Sequence, residues 1–63
     1  MDIQTIDDLI DKTGITHTAL RPMGRVDING ITFEAKTNGE FVDKGAKIIV
    51  LRIENQYLLV KGI

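Results

Sequence analysis

The chain has no cysteine, no serine and no tryptophan, and only one proline and one histidine. Each absence removes a class of reading. Without cysteine, no disulfide can staple a fold of 63 residues, and no thiolate can hold a metal or act as a nucleophile. Without serine, no Gly-x-Ser-x-Gly nucleophile elbow can exist. His17 has no second imidazole to share a metal with, and the acids that might orient it lie in other segments. It therefore reads as a surface or structural histidine. An excess of either charge is also missing: eight basic residues stand against nine acidic ones, for a formal net charge of −1. That balance gives no electrostatic reason to bind nucleic acid or an anionic membrane surface. Long apolar runs are missing too. Ile48-Ile49-Val50-Leu51 is the longest, far below the roughly 20 residues that span a bilayer. No basic-then-apolar leader opens the chain. The sequence as given is expected to be soluble, whether a complete small protein or the detached soluble end of something larger.

What is present is an economical core. Apolar residues make up 43% of the chain, and many are Ile, Val and Leu. A chain this short makes one domain at most, with a thin margin of stability that must come from tight turns and close packing. The opening segment, Asp2 to Lys12, carries Ile3, Ile6, Leu9 and Ile10 at spacings of three and four. That pattern predicts a short helix with one apolar face, capped by Asp2 or Thr5 and stopped at Gly14. Such a segment is marginal alone, so a docked helix or a frayed arm is expected. The chain divides accordingly into an arm or linker, 1–13, and a β domain, 14–63.

From Gly14 onward the pattern is that of strands. Gly14 to Leu20 is rich in β-branched residues, and Pro22 interrupts because it has no N–H for a ladder. Arg25 to Ile28 alternates polar and apolar, Asn29-Gly30 is the preferred pair for a two-residue type I′ turn, and Ile31 to Lys36 alternates back. The turn sets the register: Ile28 faces Ile31, Val26 faces Phe33 and Gly24 faces Ala35. On the other side Asp27 faces Thr32 and Arg25 faces Glu34. Phe33 thereby points to the core. Thr37-Asn38-Gly39 and Asp43-Lys44-Gly45 are further turns around a short extended Glu40-Phe41-Val42. Ala46 to Glu54 is the longest strand, and Asn55-Gln56 turns it into a last strand, Tyr57 to Lys61. Five strands at this spacing predict an all-β fold, a small barrel or sandwich.

In the closing hairpin a tight loop pairs Ile53 with Leu58 and Leu51 with Val60. The interior then takes Ile49, Leu51, Ile53, Leu58 and Val60. Ile48, Val50, Leu59 and Ile63 are left on the second face as a docking surface, to be covered by the N-terminal stripe, by a partner protein or by a second copy of the chain. Other candidate sites have a plainer reading. Asp7, Asp8 and Asp11 lack the alternating oxygen ligands and the loop glycine of a calcium site, and read as a solvated helix face. Gly24, Gly30, Gly39 and Gly45 are too widely spaced to cradle a phosphate and sit where turns need them. No catalytic, cofactor-binding or metal-ligating set emerges, and no small-molecule substrate is implied.

The run Gly14-Ile15-Thr16-His17-Thr18-Ala19-Leu20-Arg21-Pro22-Met23-Gly24-Arg25-Val26 resembles the opening of the C-terminal soluble domain of NfeD-like membrane proteins. Ile28, Gly30 and Gly39 follow in the family's order. Phe41 to Gly45 is similar to its approach to the long strand, and Ile53 to Leu58 to its closing hairpin. Met23 departs from the small residue usual there, and Asn55 from a glycine. The resemblance implies an OB-like five-stranded barrel without the usual helix between strands three and four. It implies a bacterial or archaeal parent protein anchored in the membrane, with this domain on the cytoplasmic side. It also implies stomatin- or flotillin-like (prohibitin-homology) membrane proteins as partners. Some members carry a serine protease domain, which nothing here matches.

Physically, Leu20, Arg21, Pro22 and Gly24 read first as a barrel corner: Pro22 ends the strand and Gly24 lets the chain bend closely over the sheet. The function expected is a non-catalytic protein-interaction module. Two alternatives stand beside it. One is an OB-fold domain for single-stranded nucleic acid, for which only Phe41 and Tyr57 remain as stacking platforms on a chain of net charge −1. The other is a biotinyl or lipoyl carrier, suggested by Val42-Asp43-Lys44-Gly45 but opposed by hairpin tips that lack lysine.

Overall fold

A computed structural model describes residues 9–63 of the chain. It contains five strands: β1 (Thr13–Thr16), β2 (Met23–Ile28), β3 (Ile31–Lys36), β4 (Lys47–Ile53) and β5 (Leu58–Gly62). They close into a barrel in the order β1-β2-β3-β5-β4, with β1 returning to β4. Every neighbouring pair is antiparallel except β3 with β5. This is the topology of a five-stranded OB-type barrel, and closure removes the long free edges that would otherwise invite aggregation. No helix joins β3 to β4.

The first hairpin follows from its turn. Asn29 and Gly30 both take positive φ, 54° and 81°, as a type I′ turn requires. The pairs Ile28↔Ile31, Asp27↔Thr32, Val26↔Phe33, Arg25↔Glu34 and Gly24↔Ala35 are those the sequence predicts. The apolar side is less uniform than the pattern implies. Val26, Ile28 and Ala35 are buried, and Phe33 is half-buried against the core. Ile31 is 58% exposed, because it starts β3 at the barrel's open rim.

The second hairpin departs from expectation. Ile53 does pair with Leu58, and Arg52 with Leu59, but the next pair is Val50 with Val60. Leu51 is the extra residue of a β-bulge, and an extra residue reverses the facing of everything beyond it. Ile48 and Val50 consequently point into the barrel with 0% exposure, beside Leu58 and Val60. Ile49 is left half-buried and Leu51 exposed, the reverse of the expected arrangement. Leu20 and Val42 complete the core from the connecting segments.

Two buried polar side chains are satisfied. Thr16 Oγ1 donates to Asp43 O at 2.6 Å and accepts from Ala46 N at 2.9 Å. Thr37 Oγ1 donates to Glu40 O at 2.5 Å, and its N–H reaches Pro22 O at 2.9 Å. These bonds anchor the loops to the barrel at no cost in orphaned buried groups.

The expected N-terminal helix does not reach Lys12. Lys12 N donates to Leu9 O, Asp11 has a φ of 71°, and Asp11 N and Lys12 O exchange bonds of 2.9 Å with Val50. The chain therefore runs along β4 before β1 formally begins at Thr13, where a start at Gly14 was expected. Leu9 rests against the core and Ile10 is 42% exposed. Ile3 and Ile6, with the proposed caps Asp2 and Thr5, lie outside the described residues.

Candidate functional site

The segment Leu20 to Gly24 turns the chain from β1 into β2. Leu20 is wholly buried and tied to Val42 in both directions, Leu20 N to Val42 O at 2.8 Å and Val42 N to Leu20 O at 3.1 Å. Pro22 follows a cis peptide bond, and its carbonyl accepts from Thr37 N. Gly24 is crowded on its side-chain face: a methyl there would overlap the Ala19 carbonyl and lie 2.7 Å from Thr18 Oγ1 and 2.8 Å from Leu20 Cδ2.

The antiparallel Leu20–Val42 bridge has a consequence for the neighbours on each strand. Arg21 and Phe41 come to lie side by side, with the guanidinium carbon 5.4 Å from the Phe41 ring centroid, within cation–π range. Phe41 is nonetheless 59% exposed, and Met23, whose carbonyl accepts from Arg21 N, is 51% exposed. This pairing joins residues far apart in sequence. The only signal for it was the expected extended stretch Glu40 to Val42 near a barrel corner.

The four residues expected to form a docking face divide. Ile48 and Val50 are sealed in the interior and can touch no partner in the folded domain. Leu59 is half-buried on the outside of β5, and Ile63 is 64% exposed. Ile63 N donates to Lys47 O, which fixes it at the end of the barrel where β5 finishes and β4 begins. Met23 is linked to that end through the corner: Arg21 N donates to Met23 O, Arg21 stacks on Phe41, and the neighbouring Glu40 accepts from Gly62 N. A groove of ≈ 220 Å³ lies between Phe33 and Glu34 of β3 and the β4–β5 turn, and Tyr57 is among its lining residues.

His17 belongs to a polar chain that runs across the outer face of β2. Its Nδ1 lies 2.9 Å from Asp27 Oδ2, and Thr32 Oγ1 donates to Asp27 Oδ1 at 2.7 Å. The Thr32 and His17 bonds hold the Asp27 carboxyl below the usual aspartate range, so it is ionised at neutral pH and Nδ1 carries the proton toward it. The hydroxyl points to the carboxylate and not to the imidazole, so nothing here activates a nucleophile. Among the described residues no group of three or more His, Asp or Glu side chains converges as a metal site. No helix among them is long and apolar enough to cross a membrane.

Comparison with protein families matches residues 6–61 to the NfeD-like C-terminal, partner-binding domain. The Bacillus subtilis (strain 168) membrane protein NfeD1b is 38% identical over 60 residues, which cover 95% of this chain and 14% of that protein. The chain thus spans about one seventh of the length of that relative. Among solved structures, the C-terminal domain of stomatin operon partner protein 1510-C from Pyrococcus horikoshii shares the fold, with a TM-score of 0.86 over 97% of each chain at 24% identity. A closed five-stranded barrel, a corner at Leu20-Arg21-Pro22-x-Gly24, and a family match spanning most of the chain agree: this chain belongs to the NfeD-like C-terminal, partner-binding domains.

Proposed function

We propose that this domain is the partner-binding end of a membrane-anchored NfeD-like protein, that it works with stomatin- or flotillin-type (prohibitin-homology) membrane proteins, and that it faces the cytoplasm. The observation that carries this reading is the match of residues 6–61 to a partner-binding domain. The Bacillus subtilis relative, a membrane protein, supports the anchored parent, and the related structure, a domain of a stomatin operon partner protein, supports the class of partner. The chemistry fits a binding role. The barrel core is packed and its buried hydroxyls are satisfied, while apolar side chains stay exposed outside it: Met23, Phe41 and Ile63 at one end and Ile31 at the other. Leu59 and Ile63 remain members of the proposed partner surface; Ile48 and Val50 do not. The absence of cysteine leaves the fold independent of an oxidising compartment, consistent with a cytoplasmic placement.

Gel filtration of the purified chain with a purified stomatin-like protein tests the reading. Co-elution at a defined ratio is expected, and elution of the two apart at micromolar concentration contradicts it. Protease protection of a tag fused after Ile63 in the parent protein tests the membrane side: digestion in intact cells would place the domain outside.

A further inference from the structure

We propose that the Arg21–Phe41 pair is the anchor of the partner surface, and that it takes a protein segment presenting a carboxylate beside an apolar side chain. The proposal rests on the partner-binding reading above and names the part of the surface that does the recognising.

Arg21 is a cation whose charge is not used within the described domain. Among the described residues the ion pairs are His17–Asp27, Arg25–Glu34 and Arg52–Glu54, and Arg21 is in none of them. The acid closest to Phe41 in sequence, Glu40, is committed elsewhere: its Oε2 accepts from Gly62 N at 2.7 Å. Lys36, which ends β3 near the same corner, lies over the Tyr57 ring at 5.6 Å. The guanidinium is therefore stacked on a ring and, among the described residues, in no ion pair, and its donors form a planar fork suited to a carboxylate. The ring beneath it is 59% exposed, with Met23 at 51% and Ile63 at 64% at the same end of the barrel. An acid on the incoming segment would meet the fork while its apolar neighbour covers Phe41 and Met23.

The pair is also pre-organised. The two bonds between Leu20 and Val42 hold Arg21 and Phe41 in register, and both anchoring residues are buried. A partner would therefore order little backbone on binding, which favours affinity. Exposed arginine and aromatic side chains on a rigid base are the residue types that dominate protein interfaces. By contrast, the two carboxylates lining the Phe33–Tyr57 groove, Glu34 and Glu54, are each already paired with an arginine, and the cation beside it, Lys36 over the Tyr57 ring, has no planar fork of donors to orient a carboxylate.

The test measures the affinity of a purified stomatin-like protein for the 63-residue chain and for Arg21→Gln, Phe41→Ala and Tyr57→Ala at two salt concentrations. Arg21→Gln and Phe41→Ala are each expected to weaken binding at least tenfold with an unchanged melting temperature. Wild-type affinity should fall with salt, and Arg21→Gln should flatten that dependence. Arg21→Lys keeps the charge without the fork and should bind between the two. Three outcomes overturn the proposal while leaving partner binding intact. In one, Arg21→Gln and Phe41→Ala bind like wild type. In another, Tyr57→Ala alone weakens binding. In the third, the same two residues instead govern self-association or adsorption to phosphatidylglycerol vesicles. If the wild-type chain binds no stomatin-like protein, the partner-binding reading itself fails, and the anchor falls with it.

Discussion

Replacing Gly24 by alanine adds one methyl group at the point where β2 leaves the corner, and the structure leaves no room for it. The methyl would overlap the Ala19 carbonyl and sit 2.7 Å from Thr18 Oγ1 and 2.8 Å from Leu20 Cδ2. None of the three can retreat freely. Thr18 Oγ1 accepts from Arg25 N at 3.0 Å, and Leu20 is buried and bonded twice to Val42. From the other side, Gly24 is paired with buried Ala35. Overpacking of this kind costs about 1–3 kcal/mol, and losing one of the constraining hydrogen bonds adds about 1 kcal/mol. The sum, about 2–4 kcal/mol, is large for a domain of this size, whose whole stability is on the order of 3–9 kcal/mol. The melting temperature should fall by roughly 10–25 °C. Gly30→Ala is the control. Its methyl meets nothing within 4 Å, and only the φ of +81° opposes it. That strain costs about 1–2 kcal/mol, so the drop should be visibly smaller. Thermal unfolding followed by circular dichroism reads both. If Gly24→Ala melts as high as wild type, or higher than Gly30→Ala, the close packing at the corner is wrong.

The bulge at Leu51 is open to a neighbouring-residue test. Val50→Glu buries a carboxylate at a fully enclosed position and should abolish folding, a cost of several kcal/mol, whereas Leu51→Glu, at a position 37% exposed, should leave a folded barrel by far-UV circular dichroism. The opposite result would restore the unbulged register. The Asp27 carboxyl should titrate below an ordinary aspartate in a carbon-detected NMR titration, and Thr32→Val should raise its midpoint, because the Thr32 bond is the largest cause of the shift. Since the folded value is the lower one, this group's stabilising contribution is present at neutral pH. It is lost only as pH falls through the ordinary aspartate range and below the depressed value. A midpoint at the ordinary position would mean that the His17–Asp27–Thr32 chain does not form in solution.

The two hairpins show what a sequence of this kind reveals. Asn29-Gly30 fixes its own dihedral angles, so the pairing of β2 with β3 could be read out to Gly24 and Ala35. The β4–β5 hairpin was legible only next to its turn. The bulge at Leu51 carries no glycine or proline to mark it, and Ile48, Ile49, Val50 and Leu51 are all apolar, so hydrophobicity could not choose which of them faced inward. That is why Ile48 and Val50 were expected on a docking face and lie in the core. Arg21 was visible as part of a corner motif. Its stacking on Phe41 depends on the Leu20–Val42 bridge, a tertiary contact without local signature. The same holds for His17, which meets Asp27 only because β1 lies beside β2.

The central claim is that this barrel recognises a protein and not a nucleic acid or a small substrate. Titration calorimetry of the purified chain tests it most directly, against a purified stomatin-like protein in one cell and single-stranded DNA in the other. Saturable heat with the protein at low salt and none with the DNA is the result expected. Saturable, salt-sensitive binding to the DNA with no response to the protein would contradict it.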